Sequence, residues 1–282
     1  MIQKIICILF IALSVCMASV RIPVSGINPE LLLDNSPSYH LSVSVQSGDL
    51  FLETVNIESD AFASIRFNGY HSSNIIGSPK LPEIHSLIEL PQSSMPRIEI
   101  VSEEIEYYSL ADFGITNVLY PHQPSLSKSE NPEDVPFEWD ISKYDIDNYI
   151  AGDVVSVDVK GMMRSLRLAN LIIRPVDYNP KTGMLKVWKS LDFIIHYDNA
   201  DVVATEELKK KYYSPYYESI YHQVSNYKES HYRELIKVYK KNKILLNDLN
   251  AEERNIVKNK VYARLKTLFL PICENNLNNG KY

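Results

Sequence analysis

Cysteine is nearly absent from this chain. Three occur in 282 residues, and two of them, Cys7 and Cys16, fall in the first 16 positions. A disulfide framework is therefore excluded for the body, which has to be held by its hydrophobic core. Cys273 sits near the chain end without the base and orienting fold that a catalytic thiolate needs, so it reads as an incidental thiol. Glycine is scarce too, at nine residues. No glycine-rich phosphate loop and no GxSxG nucleophile turn occurs. Seven histidines are present, but none has the spacing of a zinc site, and no pattern asks for a cofactor. Cations are in short supply through residue 200, with 14 Lys and Arg against 25 Asp and Glu. Such a body is not a nucleic-acid binder, because phosphate neutralisation needs clustered positive charge.

The sign reverses afterwards. Residues 201–282 hold 15 Lys and Arg against 10 Asp and Glu. The chain start is also distinct. Lys4 precedes a 13-residue apolar run from Ile5 to Met17, too short for a comfortable bilayer span and suited to a secretory leader. Residues 1–18 are expected to be a signal peptide, with lipid attachment at Cys16 as the minor alternative. The rest is expected to be exported, periplasmic or extracellular, with no stable membrane span.

Between these ends the sequence reads as strands. Leu41, Val43 and Val45 alternate with serines, the period of a half-buried strand. Leu50 to Ile57 continues in the same way, and Ile65–Phe67 stops at the turn pair Asn68-Gly69. Glu83–Leu90 is bounded by Pro82 and Pro91, which donate no ladder bond. Further strands are expected from Ile98, from Val154 to Val159, and from Leu166 to Ile173. Asn179-Pro-Lys-Thr-Gly183 predicts a hairpin joining Ile172–Tyr178 to Met184–Lys189, with another strand over Phe193–Tyr197. The fold class expected is all-β: an antiparallel β-sandwich of jelly-roll type over about Tyr39–Tyr197, with a short helical C-terminal tail. Val43, Val155, Leu171, Ile173, Val187 and Phe193 should point inward. Ser214-Pro215 predicts the start of a helix over Pro215–Asn226, and Asn247–Leu270 a second one.

One stretch departs from this rhythm. Tyr120–Pro136 contains four prolines and few apolar residues, which predicts an extended, largely exposed loop. Asp140, Asp145, Asp147 and Asp153 follow as solvated carboxylates without EF-hand spacing. Arg164 and Arg167 are expected to pair with these acids or face water.

Several segments resemble one family in order and in register. Gly77-Ser-Pro-Lys-Leu-Pro82 is similar to the strand-opening hexamer of the N-terminal propeptides of gingipain-family cysteine peptidases. Ser129–Phe137, Arg164–Arg167 with Ile173–Pro180 and Leu185–Val187, and Ser214–Tyr221 resemble later parts of the same propeptides. The resemblance implies a β-sandwich that assists folding of a peptidase and covers its active site, and a chain that is not itself an enzyme. It implies residues 19–228 as the propeptide, with 229–282 a basic, helical tail. It implies as partner a gingipain-like catalytic domain, in trans or from a split gene. It places Lys128, flanked by Ser127 and Ser129, in an inhibitory loop that contacts the peptidase, where this family accepts Lys or Arg. The alternative class is a secreted adhesion or carbohydrate-binding module using the many tyrosines, ten of which lie after residue 200.

Overall fold

The computed structural model describes residues 19–34, 40–57, 60–131 and 134–227. The expected leader, the basic tail with its helix over Asn247–Leu270, and Cys273 lie outside the described residues.

Twelve strands run in chain order: β1 (Val20–Ile22), β2 (Glu30–Asp34), β3 (His40–Gln46), β4 (Leu50–Ile57), β5 (Asp60–Arg66), β6 (His71–Ser72), β7 (Pro82–Leu90), β8 (Met95–Ser109), β9 (Val155–Met163), β10 (Leu166–Ile173), β11 (Val176–Asn179) and β12 (Met184–Asp198). Every strand pairing is antiparallel. A four-stranded sheet, β6-β7-β10-β9, faces a five-stranded sheet, β11-β12-β3-β2 with β8 on the other side of β12. Leu41, Val43, Ile88, Leu171, Ile173 and Phe193 fill the space between them. A third sheet, β1-β4-β5, closes a second core with Leu52, Ile65, Leu119, Tyr178, Leu185 and Val187.

The antiparallel sandwich expected from the alternation is therefore present. All six residues expected inward are buried. The strands differ in detail. Two of them, β1 and β2, precede Tyr39, so the sandwich starts earlier than the period-two pattern indicates. Leu31-Leu32-Leu33 hides its alternation in an unbroken apolar run; Leu32 is exposed while its neighbours are half-buried. Ile172–Tyr178 is two strands rather than one. Pro175 lacks the N–H a ladder needs, and the chain changes sheet there, β10 pairing β7 and β9 while β11 pairs β12. Conversely, Met184–Tyr197 lies within a single strand of 15 residues, Met184–Asp198. It passes the polar Lys189-Ser190 with register shifts against β8 at Trp188/Ser190 and Asp192/Phe193, which let one strand serve both cores.

The C-terminal part also differs. The main helix is α1 (Val202–Tyr212), capped by Asp201, whose carboxylate accepts from the Ala204 N–H at 2.8 Å. Pro215–Tyr217 forms one 3₁₀ turn and α2 (Glu218–Tyr221) a single α turn, in place of the helix expected over Pro215–Asn226. What holds this segment is polar as much as apolar. The Thr205 hydroxyl accepts from the Gln92 N–H at 2.8 Å, and Ser225 N–H donates to Leu87 O at 2.8 Å. The Asn226 amide takes the Glu89 N–H at 2.6 Å and donates to Glu89 O at 2.9 Å. Tyr221 and Val224 are buried with Leu166, beside Tyr213 and Tyr227. These late tyrosines pack the junction between sheet and helix. Among the described residues no helix is long and apolar enough to cross a membrane.

Candidate functional site

The excursion after Tyr120 is anchored at both feet. Its incoming foot is stitched to the hexamer Gly77–Pro82 by backbone bonds. Lys80 N–H donates to Tyr120 O at 2.9 Å, His122 N–H to Ser78 O at 2.9 Å, and Gly77 N–H to His122 O at 2.9 Å. Its outgoing foot returns to the same hexamer, Asp140 N–H donating to Gly77 O at 3.1 Å. Gly77 has φ +74, and a Cβ there would lie 3.0 Å from the Asp140 nitrogen. Only glycine meets both demands without strain. Aromatic rings fix the feet further. Phe62, buried in β5, contacts Phe137 at 5.4 Å and Trp139 edge-on at 5.2 Å. Tyr120 and Tyr144 contact the same pair from either side. The Tyr144 hydroxyl donates to Leu119 O at 2.8 Å. The Tyr120–Pro136 stretch is therefore built on a rigid base, with exposure confined to the part beyond Pro124.

At the tip the chain turns sharply instead of staying extended as its prolines predict. Glu130 N–H donates to Ser127 O at 3.2 Å, and the Glu130 carboxylate accepts from Ser127 N–H at 2.7 Å. The Ser127 and Ser129 hydroxyls lie 3.1 Å apart. Reciprocal backbone and side-chain bonds of this kind close a tight turn. Lys128 stands at its apex, exposed, and makes no ion pair with any described residue. The three residues picked from the sequence thus share one turn.

His122 was not singled out by the sequence, and it sits in the incoming foot. Its Nδ1 is buried and accepts nothing among the described residues. Burial, and then the nearby Lys80 charge, push its pKa down. Gln123 follows it and bridges the feet: its Nε2 donates to Glu138 O at 2.8 Å, and its Oε1 accepts from Glu138 N–H at 2.9 Å. Neither residue carries a motif signal, because a side chain that copies a backbone partner needs no spacing rule.

Of the other charged candidates, Asp140, Asp145, Asp147 and both arginines have structural partners. The Asp140 carboxylate accepts from Ser142 N–H at 3.1 Å, and Asp147 accepts from the Asn179 amide at 3.0 Å. Asp145 pairs with Lys181, which holds its carboxyl low. Neither arginine pairs with these acids. Arg164 lies over the Tyr217 ring at 4.3 Å. Arg167 reaches through one nitrogen to Pro91 O at 3.1 Å and Ser94 O at 2.7 Å, and so ties β10 to the turn leading into β8. A cleft of about 650 Å³ lies beside the feet, with the Arg174–Glu83 ion pair (2.9 Å) on its wall.

The Propeptide_C25 family model matches residues 25–234. Lys-gingipain of Porphyromonas gingivalis is 33% identical over 192 residues, which is 68% of this chain and 11% of that protein. Gingipain R2 of the same species is 23% identical over 115 residues, 41% of this chain and 15% of that protein. The chain thus spans about a ninth of the length of the Lys-gingipains it matches. Among solved structures, one described as bearing on the zymogenic latency of gingipain K from P. gingivalis superposes with TM-score 0.60 and 29% identity, covering 65% of this chain and 100% of that one. A complex of the P. gingivalis RgpB pro- and mature domains shares the fold, with TM-score 0.55 and 18% identity over 70% of this chain and 96% of that one. Family match, sequence relatives and fold agree, and this chain belongs to the Propeptide_C25 family, the propeptides of gingipain-type peptidases.

Proposed function

We propose that this chain is exported and keeps a gingipain-like cysteine peptidase latent by seating the Ser127–Glu130 turn in its active-site cleft, with Lys128 in the specificity pocket. The observation that carries the reading is the anchored loop: an exposed lysine at the apex of a turn whose feet are fixed to the hexamer that resembles the family's own. A base held in place lowers the ordering cost of docking. The greater identity to Lys-gingipain than to gingipain R2 favours a partner that accepts lysine. A lysine meeting a buried carboxylate forms a charge-assisted contact.

The test is a titration of the Lys-gingipain catalytic domain with the full chain and with its Lys128→Ala variant. Truncating one partner of a buried charge pair costs about 2–5 kcal/mol, so affinity should fall roughly 30-fold or more. Equal inhibition by both would remove Lys128 from the anchor position. No inhibition by either would overturn the latency reading for this peptidase class.

A further inference from the structure

From the geometry at the loop's base we infer that Gln123 is a positioning residue, which holds the Lys128 turn in one presentation and keeps it a poor substrate. The backbone stitching of the feet ends at His122 on one side and Asp140 on the other, both meeting Gly77. Beyond that point the strands of the loop would be free to splay. Gln123 is the next residue outward, and its side chain does what a paired strand would do. One primary amide supplies a donor and an acceptor, and here both engage the same residue: Nε2 donates to Glu138 O at 2.8 Å while Oε1 accepts from Glu138 N–H at 2.9 Å. Nε2 also donates to Pro121 O at 3.2 Å, tying the amide to its own foot. Gln123 is half-buried, whereas Glu138 and the loop tip are exposed, so the clasp lies at the surface and joins a half-buried foot to an exposed one. Phe137, next to Glu138, packs on Phe62 and Tyr120. The clasp therefore links the tip to the rigid aromatic base.

The consequence concerns how a peptidase meets the turn. Hydrolysis after Lys128 adds water across the Lys128–Ser129 peptide bond, leaving a carboxylate on Lys128 and an amine on Ser129. A protease reads several residues around that bond in an open strand, so the turn must unwind and its feet must part. Opposing that opening disfavours cleavage, and the same restraint pre-orders the loop for a partner. The regulatory part of the inference rests on the latency reading above; the restraint itself does not.

The experiment has two arms on the full chain, using Gln123→Ala and Gln123→Glu. In the first, trypsin serves as a lysine-cleaving probe unrelated to any partner, and mass spectrometry follows cleavage after Lys128. Cleavage after Lys181, an exposed lysine in the Asn179–Gly183 turn, is the internal reference. Losing both bonds to Glu138, which are solvent-facing, should speed cleavage after Lys128 by about fivefold or more in Gln123→Ala. The rate after Lys181 should stay within about twofold. Gln123→Glu keeps the acceptor for Glu138 N–H but loses the donors, and should fall between. An unchanged rate after Lys128 overturns the inference. So does equal acceleration at both lysines, which would mean general loosening. In the second arm, inhibition of the Lys-gingipain catalytic domain should weaken by about fivefold in Gln123→Ala. Selective trypsin sensitivity with no inhibition by any form would uphold the clasp and sink the latency reading; undiminished inhibition by Gln123→Ala would overturn the regulatory part.

Discussion

Replacing Lys209 with methionine should unfasten α1 from the sandwich. Lys209 Nζ lies 2.8 Å from Glu89 Oε1, and the two side chains are only 16% and 8% exposed. Burial raises the Glu89 pKa; Lys209 pulls it back down and Glu206 adds repulsion. The net shift is upward, so even the paired carboxylate is held at some cost. Lys209→Met keeps most of the aliphatic stem and removes only the charge. A buried ion left without its partner costs about 3–5 kcal/mol. For a domain of this size that is a fall of about 6–20 °C in the thermal midpoint. The loss must depend on pH with a definite sign. A carboxyl whose folded pKa lies above its unfolded value destabilises at high pH, and the penalty fades as pH falls through the raised pKa toward 4.5. The variant should therefore be most destabilised near pH 8 and recover in mild acid. Glu89→Gln in the same background should restore most of the stability, since a neutral amide needs no counter-charge. Urea unfolding of the full chain, followed by tryptophan fluorescence, reads all of this, because Trp188 is buried in the main core. A loss under about 1 kcal/mol that is the same at pH 5.5 and pH 8 would refute the reasoning.

Two further outcomes are expected. Gly77→Ala forces a Cβ into the left-handed region and against the Asp140 backbone; it should cost about 1–3 kcal/mol and hasten exchange of the Asp140 amide, which hydrogen–deuterium exchange can follow. His122, with its pKa depressed by burial and by Lys80, takes up a proton more readily unfolded than folded, so its contribution is intact above about pH 6.5. It is lost as pH drops below that value, and the stability of the natural chain relative to His122→Phe should decline between pH 7.5 and 5.5 in paired urea titrations.

How much of the fold the sequence discloses follows from which forces leave a pattern. Where a strand has one wet face, as in Leu41-Ser-Val-Ser-Val45, burial imposes period two and the strand is plain. Where a turn needs special chemistry, it is plain as well: Gly183 has φ +68, and Asn179 Oδ1 accepts from Lys181 N–H at 3.1 Å. The pattern fails where strands are wetted or buried unevenly. The middle of β8, Glu99–Glu104, is exposed throughout, and β12 crosses Lys189-Ser190 because the two cores need one continuous strand. It fails again at α1, whose attachments are Thr205 and Lys209 rather than an apolar stripe. The helix start expected at Ser214-Pro215 is a real local signal, yet it yields only one turn, since Tyr221 and Val224 are drawn into the β10 cluster and the chain then runs along β7 through Ser225 and Asn226. The tip residues Ser127, Lys128 and Ser129 were legible only through family resemblance. Composition marks the loop as exposed, and nothing in it distinguishes Lys128 from other loop cations.

The hexamer Gly77–Pro82 has a physical reading that a motif comparison does not supply. Its contacts to the loop are made by main-chain atoms: Gly77 N and O, Ser78 O and Lys80 N. Such contacts constrain side chains only where the backbone itself is special. Gly77 is special because of its φ and its closeness to Asp140. Pro79 is special because it faces Pro121 across an isolated bridge, where neither has an N–H to leave unsatisfied. Leu81 is buried in the second core, 4% exposed, and Pro82 opens β7 without a donor on its first residue. The remaining positions, Ser78 and Lys80, need only a backbone. A glycine, two prolines and a leucine at fixed offsets are therefore what a platform for two loop feet requires. The turn it supports is held by its own Ser127 and Glu130, so the apex residue can change without disturbing the base. This division leaves the apex side chain free of the base, and under the proposed latency role it is why substitutions at Gly77 and at Lys128 should separate stability from inhibition.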